Sequence, residues 1–292
     1  MANSHIATVV LAEKNAGDLE TLIKTVNARD GLKILADHKA FEFKVSSSAQ
    51  QDELLAAVSA NNLRADICIQ PNEGRKKSLL ICDMDSTLIG QECIDELADF
   101  AGVKARVSEI TERAMRGEID FEGALIERVS LLKDLDLSVL ETCFKERIVL
   151  NKGSATLCQT MKANGAKTVI VSGGFTFFTQ KVAAACGFEA HHANVLLEDG
   201  KKLLGDVQRP ILGRDAKRER LEEYSQSLGG AQHAIAIGDG ANDLAMIKAA
   251  GLGVAFYAKP AVAAASHCAI NHTDLTTALY FQGYSDREFV NA

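Results

Sequence analysis

The sequence predicts an α/β protein: a parallel sheet covered by helices, interrupted by an inserted helical cap, and preceded by a small α+β unit. Three observations predict it. Short runs apolar on both faces, Ser78 to Cys82, Lys167 to Val171, Ala234 to Ile237 and Gly253 to Phe256, alternate with helical patterns; strands of that kind belong to parallel sheets buried on both sides. Between the first two runs, Ile94 to Leu150 reads as helix throughout and contains no Pro, as an inserted cap does. Ahead of residue 71 the order of elements is β-α-β-β-α-β, a small sandwich pattern.

The elements follow from their periodicities in chain order. A β-type run from Ala7 to Leu11 precedes a helix with Leu19, Leu22, Ile23 and Val26 on one face. Strands are expected at Leu32 to Ala36 and Phe41 to Val45, a second amphipathic helix at Leu54, Leu55 and Val58, and a strand at Ile67 to Ile69. Pro71 to Lys77 has turn formers and charge but no apolar periodicity, so a linker is expected there. It divides an N-terminal domain, 1–75, from a larger domain, 76–292, whose cap spans 94–150. Beyond the cap, Phe175 to Cys186 is helical, Asp199-Gly200 between apolar pairs marks a hairpin over Asn194 to Gly205, and a further helix begins near Asp215.

Composition narrows the function. The chain has 292 residues, 47% of them apolar and 24% charged, which excludes disordered and collagenous classes. Its net charge is −7, and no Lys/Arg run exceeds Arg75-Lys76-Lys77, so nucleic acid is not an expected partner. Ten acidic and ten basic residues balance in 1–77; the excess lies beyond, where 29 acidic face 22 basic residues. The seven cysteines are scattered, mostly in apolar runs and without a Cys-x-x-Cys pair, and read as buried thiols of a reducing, cytoplasmic compartment. No window approaches 18 uninterrupted apolar residues, so no membrane association is expected.

In open α/β sheets ligands bind beyond the carboxyl ends of the strands. After the first run stand Asp83-Met84-Asp85-Ser86-Thr87, two carboxylates one residue apart; alone, the pair is equally an Asx turn capping a helix. After the second stand Ser172-Gly173-Gly174, small residues that let backbone N–H groups approach an anion, although a plain turn has the same composition. After the third stand Gly238-Asp239-Gly240-Ala241-Asn242-Asp243, whose carboxylates suit a hard divalent cation. Together they supply ligands for a cation, donors for an oxyanion and a spare carboxylate. Asp83, held ionised by the metal, can then attack phosphorus while Asp85 serves as acid and base. Lys217 is the candidate cation for the phosphoryl group; alone, it reads as a solvated helix lysine.

These residues, Asp83-x-Asp85-x-Thr87, Ser172-Gly173-Gly174, Lys217 and Gly238-Asp239-Gly240-x-Asn242-Asp243, in this order and spacing, resemble the haloacid dehalogenase superfamily of aspartate-nucleophile phosphatases. Glu92, the segment Phe121 to Arg128, Phe175-Thr176, the Asp199-Gly200 hairpin and Gly238 to Ala250 extend the resemblance, over roughly 78–285, to its phosphoserine phosphatases. The resemblance implies a Rossmann-like core and hydrolysis of O-phosphoserine to serine and phosphate, the last step of serine biosynthesis. It implies Mg²⁺ on the Asp83 carboxylate, the Asp85 carbonyl and the Asp239 carboxylate, with Asp243 orienting Lys217 or a metal-bound water. Ser172, the Gly173 amide, Lys217 and Asn242 would hold phosphoryl oxygens, and Met115 and Phe121 would line the pocket. In element order the N-terminal unit is similar to the ACT-like, ferredoxin-like domains of some relatives, with regulatory and packing roles both open.

The substrate's chemistry agrees, since a zwitterionic amino acid requires one anion and one cation beside the phosphate pocket. Glu92 suits the ammonium, and the planar fork of Arg128 suits the carboxylate. Singly, Arg128 can instead pair with Glu127 or Glu122, and Glu92 can merely occupy a helix's first turn. A phosphotransferase, or a phosphatase for another small phosphomonoester, fits the same chemistry, and the oligomeric state, homodimer included, stays open. Asp83, Asp85, Glu92, Asp239 and Asp243 against Arg128 and Lys217 leave an excess of negative charge where an anion must bind, which argues for metal dependence.

Overall fold

A computed structural model describes residues 5–26, 30–46 and 50–290. The N-terminal unit comprises β1 (His5–Leu11), α1 (Ala16–Thr25), β2 (Lys33–Ala36), β3 (Ala40–Val45), α2 (Gln51–Ala60) and β4 (Ala65–Pro71), in the expected order. Asn15 starts α1 by accepting from the Gly17 and Asp18 amides. The antiparallel sheet runs β2-β3-β1-β4, and its period-two alternation separates two faces. Val9, Leu11, Phe41 and Phe43 pack under Leu19, Leu22, Leu54 and Val58 of the two helices. Val10, Ala40 and Cys68 face the other way and join the core of the larger domain.

That domain contains β5 (Leu79–Cys82), α3 (Cys93–Phe100), α4 (Lys104–Met115), α5 (Phe121–Ser130), α6 (Ser138–Arg147), α7 (Ser154–Ala163), β6 (Lys167–Phe175), α8 (Thr176–Cys186) and β7 (Ala190–Asn194). A hairpin of β8 (Leu196–Glu198) and β9 (Leu203–Val207) follows. The chain then forms α9 (Arg214–Gln226), β10 (Ala234–Gly238), α10 (Leu244–Ala249), β11 (Leu252–Phe256), α11 (Pro260–Ala264), β12 (Cys268–Ile270) and α12 (Thr277–Phe281). Six strands form a parallel sheet in the order β12-β11-β10-β5-β6-β7. Leu79, Ile81, Val169 and Ala236 face Leu221, Met246 and Ile247. Leu80, Ile170 and Ile237 face Leu157, Met161, Phe178 and Val182 on the opposite side. Burial on both sides is why these strands read as unbroken apolar runs.

The four expected runs are the four inner strands. The edge strands β7 and β12 escape the sequence pattern because each pairs with one neighbour only; β7 is Ala-His-His-Ala-Asn, and β12 has three residues. Ser172-Gly173-Gly174 is not a turn after β6 but part of it. Val171 pairs with His192 and Phe175 with Asn194, so the strand bulges through the three residues between. The cap is the four helices α3 to α6, as expected.

The segment after β4 is more than a solvated tether. Arg75 is buried, its Nη2 2.7 Å from Glu42 Oε2 and donating to Thr8 Oγ1 at 3.1 Å and the Phe281 carbonyl at 3.2 Å. Buried Asp66 accepts from the amides of Asn271, His272 and Thr273 at 2.8, 3.2 and 3.0 Å. The two sheets therefore meet through paired buried polar groups, with Arg75 Nε alone left without an acceptor among them, as well as through apolar contact. All seven cysteines are free and buried.

Candidate active site

The three loaded strand ends converge at the carboxyl edge of the sheet. Leaving β5, the chain turns sharply: the amides of Leu88 and Ile89 both donate to the Met84 carbonyl, at 2.8 and 3.1 Å. This turn presents Asp83 and Asp85, 4% and 8% exposed. Asp83 Oδ1 accepts from the Met84 amide at 2.7 Å, and Oδ2 lies 2.8 Å from Lys217 Nζ. Lys217, brought in by α9, is 1% exposed, so it is not a solvated helix lysine. Its ammonium also donates to Asp243 Oδ1 at 2.6 Å, and Asp243 Oδ2 accepts from the Gly240 amide at 3.0 Å.

Oxygens of Asp83, Asp239 and Asp243 lie within 4.8 Å of one another. Three carboxylates against one ammonium leave two negative charges uncompensated, and the all-oxygen donor set fits a hard divalent cation. Both oxygens of Asp83 and both of Asp243 already accept hydrogen bonds, whereas Asp239 accepts only from Thr87 Oγ1, at 3.4 Å, and is the least engaged of the three. Electrostatics records the same crowding. Burial, then the neighbouring Asp243, holds the Asp83 carboxyl well above the usual range and pushes Asp239 up to about 6. Burial alone would lower Lys217, but Asp243 and Asp83 outweigh it and hold the ammonium charged.

Asp85 occupies a different environment. Its Oδ1 accepts from the Cys93 amide, at the N-terminus of α3, at 2.9 Å, and Oδ2 from Ser172 Oγ at 3.2 Å. Burial raises its pKa against these donors, which favours the protonated form that a general acid needs. The sequence did not point to Cys93 as part of this arrangement, and it marked Gly174 only as a small residue of the anion-binding turn. A Cβ on Gly174 would stand 2.5 Å from Asp85 Oδ2, so only glycine lets the bulged β6 approach that carboxylate. Asn242 lies half-buried in the loop after β10, beside Gly240.

At the N-cap of α3, exposed Glu92 accepts at Oε1 from Ser86 Oγ at 2.7 Å. Desolvation in the crowded mouth, then the nearby Asp85 charge, pushes its pKa up to about 7. Arg128 does not pair with Glu127, which is taken by Arg113 at 3.0 Å, nor with Glu122. Its Nε donates to the Ala124 carbonyl at 3.2 Å and its Nη1 to Thr111 Oγ1 at 3.4 Å. Burial lowers the Arg128 pKa while Asp95 and Glu92 raise it, so this guanidinium shares a field with Glu92 and holds no carboxylate among the described residues. Phe121 begins α5 and packs on the phosphate-loop glycine; a Cβ on Gly173 would stand 3.0 Å from its ring. Met115 is not enclosed: it is 67% exposed at the end of α4, with its sulfur 3.6 Å from Lys259 Nζ in the loop after β11.

Comparison with known proteins agrees with this geometry. Residues 80–248 match the haloacid dehalogenase-like hydrolase family. A phosphoserine phosphatase of Saccharomyces cerevisiae is 35% identical over 279 residues, 93% of this chain and 90% of that protein. The structure of a probable phosphoserine phosphatase from Vibrio cholerae superposes with TM-score 0.78 at 32% identity, over 96% of this chain and 86% of the other. A phospho-aspartyl intermediate analogue of phosphoserine phosphatase gives TM-score 0.65 at 40% identity, over 70% of this chain and 99% of the other. Among the described residues no helix is long and apolar enough to cross a membrane. The chain belongs to the haloacid dehalogenase-like hydrolase family and, within it, to the family of the phosphoserine phosphatases.

Proposed function

We propose that the protein hydrolyses O-phospho-L-serine to L-serine and phosphate through an aspartyl phosphate on Asp83. The observation that carries this reading is a phosphoryl-transfer centre, Asp83, Lys217 and Asp243, accompanied by two further charged groups, Glu92 before α3 and Arg128 on α5, the latter with no carboxylate partner among the described residues. The centre provides the chemistry, and the two charged groups match the ammonium and carboxylate of a free amino acid. The activity named for the yeast and Vibrio relatives supports the same reading.

Asp83, Asp239 and the Asp85 backbone carbonyl would hold Mg²⁺, which when bound neutralises phosphoryl oxygens and makes phosphorus more electrophilic. Ser172, the Gly173 amide, Lys217 and Asn242 hold the phosphoryl oxygens. An Asp83 oxygen attacks phosphorus in line, and the bond from phosphorus to the serine oxygen breaks as Asp85 delivers its proton to that oxygen. Asp85 then takes a proton from a water that attacks the acyl phosphate, releasing phosphate and restoring the Asp83 carboxylate. Phe121, seated on Gly173, keeps bulk water from the phosphoryl group while the cap is closed. Residues 1–75 act as a separate domain whose buried contacts dock it on the catalytic domain, 76–292.

A phosphate-release screen over phosphoserine, phosphothreonine and sugar phosphates tests the proposal. Phosphoserine should give the highest kcat/KM, with free phosphate and serine in equal amounts. Preference for a sugar phosphate, or appearance of a phosphorylated acceptor in place of free phosphate, would overturn it.

A further inference from the structure

We infer that Asn194 is a positioning residue for phosphoryl transfer, clamping the bulge of β6 and the segment that leads into α9 into one rigid unit. The inference rests on the phosphatase reading above. Asn194 ends the edge strand β7 and is 3% exposed. Its Nδ2 donates to the Gly173 carbonyl at 2.9 Å and to the Leu212 carbonyl at 3.2 Å, and its Oδ1 accepts from the Leu212 amide at 2.7 Å. The amide orientation is unambiguous, because the reversed group would set its oxygen against two carbonyls and its nitrogen against an N–H.

Each partner leads to the reacting centre. Gly173 lies in the bulge where β6 departs from its register with β7; Asn194 spans that bulge with its side chain. A trans peptide points its C=O and N–H in opposite directions. Drawing the Gly173 carbonyl toward Asn194 therefore turns the Gly174 N–H inward, where it donates to Ser172 Oγ at 2.9 Å. Ser172 Oγ in turn donates to Asp85 Oδ2 at 3.2 Å. On the other side, Leu212 precedes Gly213 and α9, the helix that carries Lys217 to Asp83. One buried amide thus sets the aim of the Ser172 hydroxyl and the entry of the lysine helix, although it touches neither substrate nor reacting atoms. Aspartate at 194 would keep the shape and the bond from the Leu212 amide but place its second oxygen, in the position of Nδ2, against the Gly173 and Leu212 carbonyls, two donated bonds replaced by repulsion.

The test compares wild type, Asn194→Asp and the milder Asn194→Ser as soluble, folded full-length protein, with activity referred to the folded fraction. The readouts are kcat for phosphoserine and p-nitrophenyl phosphate and the inhibition constants of inorganic phosphate and L-serine. A misaligned pocket should lower kcat for both substrates, by about 10²-fold in Asn194→Asp, and weaken inhibition by phosphate. Inhibition by L-serine, which reports Glu92 and Arg128, should stay within about twofold of wild type. Asn194→Ser should follow in the same direction with a smaller loss. Wild-type values of kcat and phosphate inhibition in both variants would overturn the clamp, as would weakening of phosphate and serine together. A wild-type protein that fails to hydrolyse phosphoserine in the same experiment would instead overturn the phosphatase reading.

Discussion

Lys217 is the most informative side chain to remove, because its ammonium alone offsets three carboxylates. In Lys217→Met the methionine occupies nearly the same volume without charge. Asp83 and Asp243 lose contacts of 2.8 and 2.6 Å, and the carboxylate oxygens they share with Asp239 remain within 4.8 Å of one another. At an effective dielectric constant of about 20, two carboxylates at that separation repel by about 3 kcal/mol. Breaking a buried pair by removing one partner costs about 3–5 kcal/mol, so the chelated variant should lose about that much stability in urea unfolding. An added divalent cation should recover more stability in the variant than in wild type, because it no longer competes with the ammonium. Catalysis should not recover: losing one preorganised donor to the phosphoryl oxygens lowers kcat by about 10²–10³-fold. The loss should be equal for phosphoserine and p-nitrophenyl phosphate, since the lysine does not reach the leaving group. A chelated variant less than about 1 kcal/mol below wild type, with kcat reduced less than about tenfold, would refute the charge balance drawn for this site.

Arg128→Ala should raise KM for phosphoserine about 10- to 100-fold and leave KM for p-nitrophenyl phosphate nearly unchanged; equal effects on both would remove Arg128 from carboxylate recognition. The pH dependence of stability should differ between chelated and cation-loaded protein. With its pKa raised to about 6 by burial and by Asp243, Asp239 ionises first in the unfolded chain. The chelated protein therefore loses stability as pH rises from about 4 to about 6, by no more than about 3 kcal/mol. Cation binding favours the ionised carboxylate, so urea midpoints with and without the cation should diverge over the same window; parallel profiles would contradict it. Glu42→Ala leaves Arg75 buried without its partner and should cost about 3–5 kcal/mol in chemical unfolding, while kcat of the folded enzyme stays near wild type. A cost under about 1 kcal/mol would mean that the pair contributes little to docking the N-terminal sheet.

How much of this was legible in the sequence depended on where each element sits. Inner strands such as Leu79–Cys82 and Ala234–Gly238 are covered on both faces, so apolar runs mark them, and the residues following those runs are brought together in one buried cluster. The edge strand Ala190–Asn194 carries no such run, and the function argued for Asn194 depends on a bulge in its neighbour that residue spacing does not encode. Arg75 lay in a segment rich in turn formers and charge, and only the tertiary fold brings Glu42, Thr8 and the Phe281 carbonyl around it. The role of Cys93 was hidden for a related reason: it acts through a main-chain N–H and has no side-chain signature, whereas the small residues Ser172-Gly173-Gly174 were legible but the approach of Gly174 to Asp85 was not. Met115, expected to line the pocket, ends α4 exposed to solvent with its sulfur near Lys259 of the loop after β11, a contact across the fold that helical spacing does not encode.

The central claim is that Asp83 carries the phosphoryl group between serine and water. Quenching the enzyme in acid during turnover of phosphoserine, reducing the trapped acyl phosphate with borohydride and mapping the peptides by mass spectrometry tests it directly. The carboxyl of residue 83 should be found reduced, so that homoserine stands in its place, with Asp85 intact. Asp83→Asn should remain folded, yield no trapped species and show no turnover. Steady turnover without modification at Asp83, reduction at Asp85 in its stead, or activity retained by Asp83→Asn would contradict the account.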